Sequence, residues 1–154
     1  MTLSARLLPT LLFSAVGTVV LGAIAWSVFA SSGLPTGPVE LVFDKAACAS
    51  CGMHVGEPRF AAQVITTDGR CHAFDDVGCL FEFLRRDPRP VHAAYVRHLH
   101  EARWLALAEA GFVDVRPSPM GFDLGAVDAG TSGAIDAATA RRRCEQRLGA
   151  EAPR

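Results

Sequence analysis

The segment Cys48–His54, with the sequence CASCGMH, places two thiols, a thioether and an imidazole within a few positions of one another. Thiolates and thioethers are soft donors, and soft donors select Cu(I) over hard cations. A zinc site would be expected to contain more cysteine and histidine and no methionine. We therefore interpret the segment as a Cu(I) site, with a structural disulfide, a thiol redox pair and a zinc site as the alternatives.

Five residues are candidate ligands for this ion. Cys51 is the first, because a bound metal keeps a thiolate deprotonated. Met120 is the second, since a turn bounded by prolines is an unusual place for a core methionine, although it could fill a gap under a loop. Met53 could also be buried packing, and His54 could be a surface or hydrogen-bonding residue. Cys48 is either a further thiolate or the disulfide partner of Cys51.

The remaining cysteines and histidines are expected to be structural or solvated. Cys79 lies one residue off the apolar stripe of a predicted helix and is expected to be a small buried side chain. Cys71 is expected to pack within a strand, although the neighbouring imidazole of His72 could help it attract a metal ion. The histidines for which we expect solvated side chains are His92, His98 and His100.

The N-terminal region carries no charge after Arg6 until Glu40, and the run Leu7–Ala30 is largely apolar. About 20 apolar residues span a bilayer as a helix, whereas the apolar part of a cleaved signal peptide is usually about 7–15 residues long. The run therefore predicts an uncleaved membrane anchor with the rest of the chain in the periplasm. A cleaved signal that ends at Ala30, before Ser31, is the alternative and would leave a periplasmic protein.

Composition divides the chain into three parts. Residues 1–30 are interpreted as the anchor or signal, 31–43 as a linker with a first strand at Val39–Phe43, and 44–150 as one domain. The formal net charge of −1 favours no nucleic-acid partner.

A hairpin and a helix are predicted after the cysteine segment. The strands Phe60–Thr66 and Arg70–Phe74 flank Asp68-Gly69, a pair that tight hairpin turns prefer. Asp75 or Asp76 is positioned to cap the following helix. The apolar stripe of that helix, which should end before Pro88, consists of Val77, Leu80, Phe81 and Leu84.

The second half of the chain is assigned from propensity and turn residues. Its expected elements are strands at Val91–Leu99, Phe112–Val115 and Phe122–Val127 and helices at Glu101–Ala110 and Asp136–Leu148. Together with the first half they predict an α+β domain of two packed strand-strand-helix (ββα) units.

Several of these motifs, in this order and spacing, resemble the NosL family of nitrous oxide reductase accessory proteins. The matching stretches are Cys51-Gly52-Met53, Phe60-Ala61-Ala62-Gln63, Asp68-Gly69, Phe74-Asp75-Asp76, Tyr95-Val96, Trp104 and Ser118-Pro119-Met120-Gly121. The resemblance implies a ββα fold similar to that of organomercurial lyases and a metal-binding role without enzymatic turnover. It also implies that Met120 corresponds to the methionine of the family's SPMG turn.

The resemblance further implies an extracytoplasmic Cu(I) chaperone of denitrification, which serves nitrous oxide reductase together with a membrane ABC-type partner. This chain departs from the family pattern, because Cys71, Cys79 and Cys144 match no family position and Arg97-His98 stands where an aspartate is common. A haem-copper oxidase is therefore an alternative recipient of the copper. A thiol-disulfide oxidoreductase that uses Cys48 and Cys51 is an alternative function, and an organomercurial-lyase-like enzyme is a weaker one.

Overall fold

The computed structural model describes residues 17–27 and 33–151. The chain divides into two units, Met1–Leu34 and Pro35–Arg154. Residues 17–27 of the first unit are helical. In the described parts of the chain, no helix has both the length and the apolar character needed to cross a membrane. The other residues of the predicted span Leu7–Ala30, and the alternative cleavage site after Ala30, lie outside the described residues. The described helix at residues 17–27 does not by itself support a membrane anchor.

The predicted hairpin is present in the second unit. Strands β1 (Ala62–Thr66) and β2 (Cys71–Phe74) are antiparallel, and Ile65 is opposite Cys71 at the turn end. Gly69 in the turn has a φ of 81°, a left-handed conformation that glycine adopts without steric cost. The start of the first strand differs from the prediction, because a short 3₁₀ helix at Pro58–Phe60 precedes it.

Helix α1 (Val77–Arg86) also follows the prediction. Its N-cap is Asp76, whose Oδ1 accepts a hydrogen bond from the backbone N–H of Gly78 at 2.9 Å. The stripe residues Val77, Leu80 and Phe81 are buried. The helix ends at Arg86, as predicted, because Pro88 disfavours helical geometry at the residue that precedes it.

The first sheet contains four strands in the order β2-β1-β3-β4, with β3 at Val91–Arg97 and β4 at Trp104–Ala106. The helix predicted at Glu101–Ala110 is wrong. Trp104–Ala106 pairs antiparallel with the end of β3, and only a 3₁₀ turn at Leu107–Glu109 is helical. Strand pairing and burial of Leu105 thus override the local helix propensity of an alanine- and leucine-rich segment.

The second sheet has the order β6-β5-β7 and is followed by the second helix. Its elements are β5 (Ala110–Asp114), β6 (Leu124–Asp128), β7 (Ile135–Asp136) and α2 (Ala137–Glu151). Both predicted strands and the terminal helix of this region are confirmed, with their boundaries shifted by a few residues.

The α+β class is confirmed, while the division into two equal ββα units is confirmed only in part. The first predicted ββα unit has two further strands in its sheet, β3 and β4, and the second has three short strands before its helix. The strand predicted at Val39–Phe43 is wrong. The segment does not pair with a strand, and the buried side chain of Gln63 holds it at Val39. Oε1 of Gln63 accepts from the Val39 N–H at 2.8 Å, and Nε2 donates to the Val39 carbonyl at 3.1 Å.

One core joins both helices to both sheets. Phe81 of α1 and Phe112 of β5 have ring centroids 6.0 Å apart, which connects the first helix to the second sheet. Burial of a large apolar side chain contributes about 1.5–3 kcal/mol to stability, so such contacts hold the two halves together. Cys48, Cys79 and Cys144 are all buried in this core.

Candidate metal centre

The loop that carries the CxxC motif folds back on itself. The backbone N–H of Cys48 donates to the carbonyl of Met53 at 2.7 Å, and that of Gly52 donates to the carbonyl of Cys48 at 2.9 Å. Gly52 has a φ of 77°, in the left-handed region that disfavours residues with a Cβ. The turn closes the loop, so Cys48 and Cys51 lie close together.

Three hydrogen bonds fix this loop to the hairpin and to helix α1. The backbone N–H of Ala49 donates to the carbonyl of Ala73 at 2.8 Å. The hydroxyl of Ser50 donates to Oε2 of Glu82 at 2.5 Å. The N–H of Gly56 donates to Oδ1 of Asp75 at 3.1 Å. The position of the two cysteines is therefore set by long-range contacts as well as by their spacing in the sequence.

A third cysteine completes a group that we call the thiol cluster, formed by Cys48, Cys51 and Cys79. The three Sγ atoms all lie within 4.8 Å of one another, and all three thiols are free. Metal–thiolate bonds are about 2.3 Å long, so a trigonal site needs sulfur–sulfur distances of about 4 Å. A small contraction of the cluster would therefore let all three sulfurs reach one ion.

Cys79 is the residue that sequence reasoning missed. It is only 1% exposed, as expected for a small buried side chain, but its thiol faces the other two. It is the third residue of α1 and lies in the first helical turn, after the Asp76 cap. That cap was visible in the sequence. The contact between Ala49 and Ala73, which brings the CxxC loop to the start of the helix, was not.

The cluster shares its protons unequally. The pKa of Cys48 lies well below its usual value, because the Cys79 thiol donates a hydrogen bond to it and backbone N–H groups reinforce the effect against the cost of burial. The same hydrogen bond and burial raise the pKa of Cys79. Partial burial raises the pKa of Cys51. These shifts favour the thiolate form at Cys48 and the protonated form at Cys51 and Cys79.

The turn that contains Met120 lies at the same end of α1. Oδ2 of Asp76 accepts hydrogen bonds from the Ser118 hydroxyl at 2.6 Å and from the Met120 backbone N–H at 3.1 Å. Asp76 itself is fully buried. Met120 is 36% exposed, so its thioether is partly accessible to solvent.

The other two predicted ligands, Met53 and His54, are exposed residues of the loop. Met53 is 51% exposed, and its backbone contacts Cys48 through the loop hydrogen bond. His54 is exposed and forms an isolated bridge with Ala47. The structure thus brings Cys48 and Cys51 together. Metal binding by any of the five candidates stays a prediction.

Cys71 and Cys144 stand apart from the thiol cluster. The thiol of Cys71 lies 3.4 Å from Oε1 of Gln63, at which distance it acts as a weak donor. Cys144 on α2 is 1% exposed, and burial raises its pKa to about 12. Both cysteines therefore pack within the domain and lie outside the thiol cluster.

A second group of possible ligands, His98, Glu101 and Asp128, is less suited to a metal ion. Nδ1 of His98 accepts two backbone N–H hydrogen bonds, from His100 at 3.2 Å and Glu101 at 3.1 Å. The proton of the neutral ring is therefore on Nε2, which faces Asp128 at 3.8 Å. Arg103 already pairs with both carboxylates at 2.6 Å. The expectation that His98 is solvated is wrong, since its ring accepts these bonds while only 6% exposed.

Comparison with known proteins decides the family. The NosL family profile matches residues 38–141, which is well over half of the chain. This chain belongs to the NosL family. The match contains the whole thiol cluster, so the cluster is part of the NosL domain of this chain.

A solved structure supports the fold assignment of this NosL family member. The crystal structure of the copper chaperone NosL from Shewanella denitrificans matches with a TM-score of 0.52 and 18% identity. The match covers 73% of this chain and 89% of that one. At this identity the likeness establishes the shared fold. A search of curated proteins found no match.

Proposed function

We propose that this NosL family member is a metallochaperone that binds Cu(I) and transfers it without catalytic turnover. The observation that carries the proposal is the thiol cluster, with three sulfurs within 4.8 Å of one another. Soft thiolates favour Cu(I), whereas Mg²⁺ and Ca²⁺ require oxygen ligands. A protein with the same fold is described as a copper chaperone, which is consistent with this assignment.

In this proposal Cys48, Cys51 and Cys79 hold the ion. The lowered pKa of Cys48 favours a thiolate there before the metal binds, while Cys51 and Cys79, whose pKa values are raised, release protons on binding. Three thiolates around one Cu(I) leave a net negative site. The first turn of α1, where Cys79 lies, offers the positive end of a helix dipole that offsets part of this charge. Met53, His54 and Met120 remain candidates for additional or exchanging ligands.

The recipient and the location are further parts of the proposal. Membership of the NosL family favours nitrous oxide reductase as the copper enzyme served, with an ABC-type membrane assembly as partner. A haem-copper oxidase is the alternative recipient. The apolar run Leu7–Ala30 favours a membrane-anchored protein whose second unit lies in the periplasm, or a periplasmic protein after signal cleavage.

Titration of the reduced full chain with Cu(I), against a chromophoric chelator such as bicinchoninate, tests the metal assignment. We expect one tightly bound Cu(I), and we expect Cys48→Ser and Cys79→Ser each to lower the affinity by at least about tenfold. Cys144→Ser is the matched control, because Cys144 is as buried as Cys79 but lies outside the cluster. Zinc binding as tight as Cu(I) binding, or an equal loss in Cys144→Ser, would contradict the proposal.

The low pKa of Cys48 also favours a second candidate, a thiol-disulfide oxidoreductase. However, Cys48 is only 3% exposed, whereas the attacking thiolate of such an enzyme must reach its substrate. We therefore expect slow reduction of a small aromatic disulfide by the reduced chain. Rapid reduction that Cys48→Ser abolishes would favour the oxidoreductase instead.

A further inference from the structure

The three thiols of the cluster differ sharply in their access to solvent. Cys79 is 1% and Cys48 is 3% exposed, whereas Cys51 is only partly buried. The next side chain on the loop, Met53, is 51% exposed. The cluster therefore has a closed side and an open side.

Secondary structure and hydrogen bonds cover the closed side. Cys79 lies in the first turn of α1, and the Asp76 carboxylate that caps this turn accepts hydrogen bonds from Ser118 and Met120 of the SPMG turn. Cys48 is held by its backbone bond to Met53 and lies beside Ala49, which is bonded to β2. An incoming ligand would have to break these contacts to reach either sulfur.

The open side is formed by Cys51, Gly52 and Met53. A Cβ placed on Gly52 would meet no atom within 4 Å, so space is free beside Cys51. The carbonyl of Met53 accepts a hydrogen bond from the backbone N–H of Cys48 at 2.7 Å, which places Met53 beside the cluster.

We propose that Cys48 and Cys79 retain Cu(I) while Cys51 is the ligand exchanged with the recipient protein, an inference that rests on the proposed copper-binding function. The recipient presents a soft sulfur ligand, a methionine thioether or a cysteine thiolate, on a projecting segment that reaches the open side. Met53 takes part as an exposed thioether that stabilises the ion during exchange.

The exchange step conserves the charge on the metal. The incoming sulfur forms a bond to Cu(I) as the bond between Cu(I) and Sγ of Cys51 breaks, and the released thiolate takes a proton from water. Copper remains in the +1 state, so no oxidant or reductant is required. The bonds to Cys48 and Cys79 are replaced afterwards in the same way.

The test compares transfer rates of the Cu(I)-loaded full chain. Loaded protein is mixed with excess bicinchoninate in a stopped-flow instrument, and affinities are measured in parallel. Cys79→Ser should raise the transfer rate by about tenfold, because a retaining ligand is lost. Cys51→Ser should lower the transfer rate several-fold although it also weakens binding, because the ion is left on two buried sulfurs.

Two further variants keep the test decisive if Cys79→Ser folds poorly. Met53→Leu changes an exposed side chain and should slow transfer by more than it lowers affinity. Cys144→Ser, a buried thiol outside the cluster, should transfer at the wild-type rate. Equal acceleration in Cys51→Ser and Cys79→Ser would overturn the directional assignment. Failure of the wild-type chain to bind Cu(I) would instead refute the proposed function.

Discussion

Met120 and Asp76 are joined by a hydrogen bond from the Met120 backbone N–H to Oδ2 of Asp76 at 3.1 Å, across 44 positions of sequence. Asp76 is also the N-cap of the helix that carries Cys79. One buried carboxylate therefore fixes both the SPMG turn and the start of α1, and so places a thioether-bearing turn at the same end of the helix as the thiol cluster.

Asp76→Ala should be strongly destabilising. It removes the helix cap, which is worth about 1 kcal/mol, and leaves the Ser118 hydroxyl and the Met120 N–H without their acceptor. We expect urea unfolding to report a loss of at least about 2 kcal/mol. Asp114→Ala, at an exposed carboxylate, is the control and should change stability by less than about 0.5 kcal/mol. Similar values for the two variants would contradict the role assigned to Asp76.

Gly78→Ala should lower stability through a clash. A Cβ at Gly78 would lie 2.0 Å from Cγ of Phe122, so the ring after the SPMG turn must move. Overpacking of this kind typically costs about 1–3 kcal/mol. The loss is measured by thermal or urea unfolding and should be partly restored when Phe122→Leu is added. Gly130→Ala, where an added Cβ meets no atom within 4 Å, serves as the control.

Gly52→Ala tests the backbone of the CxxC loop. The residue has a φ of 77° and free space around its Cα, so the variant adds backbone strain of about 1–2 kcal/mol without a clash. Relief of this strain should move Cys51 relative to Cys48 and lower the Cu(I) affinity measured with a competing chelator. Gly52→Asn should retain more affinity, because asparagine tolerates left-handed angles better. If alanine binds as tightly as asparagine, the turn does not set the site.

His72→Phe should reduce the acid sensitivity of the fold. Nε2 of His72 is buried without a hydrogen-bond partner among the described residues, and its ring packs 4.9 Å from that of Phe83. Burial, together with the charge of Arg89, lowers the pKa of this imidazole. The unfolded chain therefore takes up the proton first as pH falls below about 6.5, and stability that is fully present above this value is lost below it.

The measurement for this variant is the urea midpoint at about pH 8 and about pH 5.5, on either side of the usual histidine pKa. The gain of His72→Phe over the wild type should be larger at the lower pH. His100→Gln, at an exposed imidazole, should follow the wild type at both values. A gain that does not depend on pH would show that His72 acts through packing alone.

Local signals predicted the parts of the fold that local chemistry specifies. Asp68-Gly69 located the hairpin, and the stripe from Val77 to Phe81 with an aspartate before it located α1. Trp104–Ala106 was predicted as helix because its strand conformation depends on pairing with β3, a contact that propensity does not contain. Boundaries elsewhere shifted by a few residues for the same reason.

The sequence likewise predicted the part of the candidate site that is local in the chain. Cys48 and Cys51 were found because their spacing is local, and the structure brings them together. Cys79 was not found, because its approach depends on the Ala49–Ala73 hydrogen bond and on the packing of α1. A buried cysteine in a helix looks the same in the sequence whether it faces apolar side chains or other thiols.

The double hydrogen bond between Val39 and the side chain of Gln63 has a mechanical consequence. Gln63 lies on β1, which is flanked by β2 and β3 in the first sheet. Tension applied to the chain ahead of Val39 would be delivered to an inner strand, where it must shear hydrogen bonds on both sides together. A pull on an edge strand would instead open them one at a time. The segment at Val39 is thus attached to the interior of the first sheet and not to its edge.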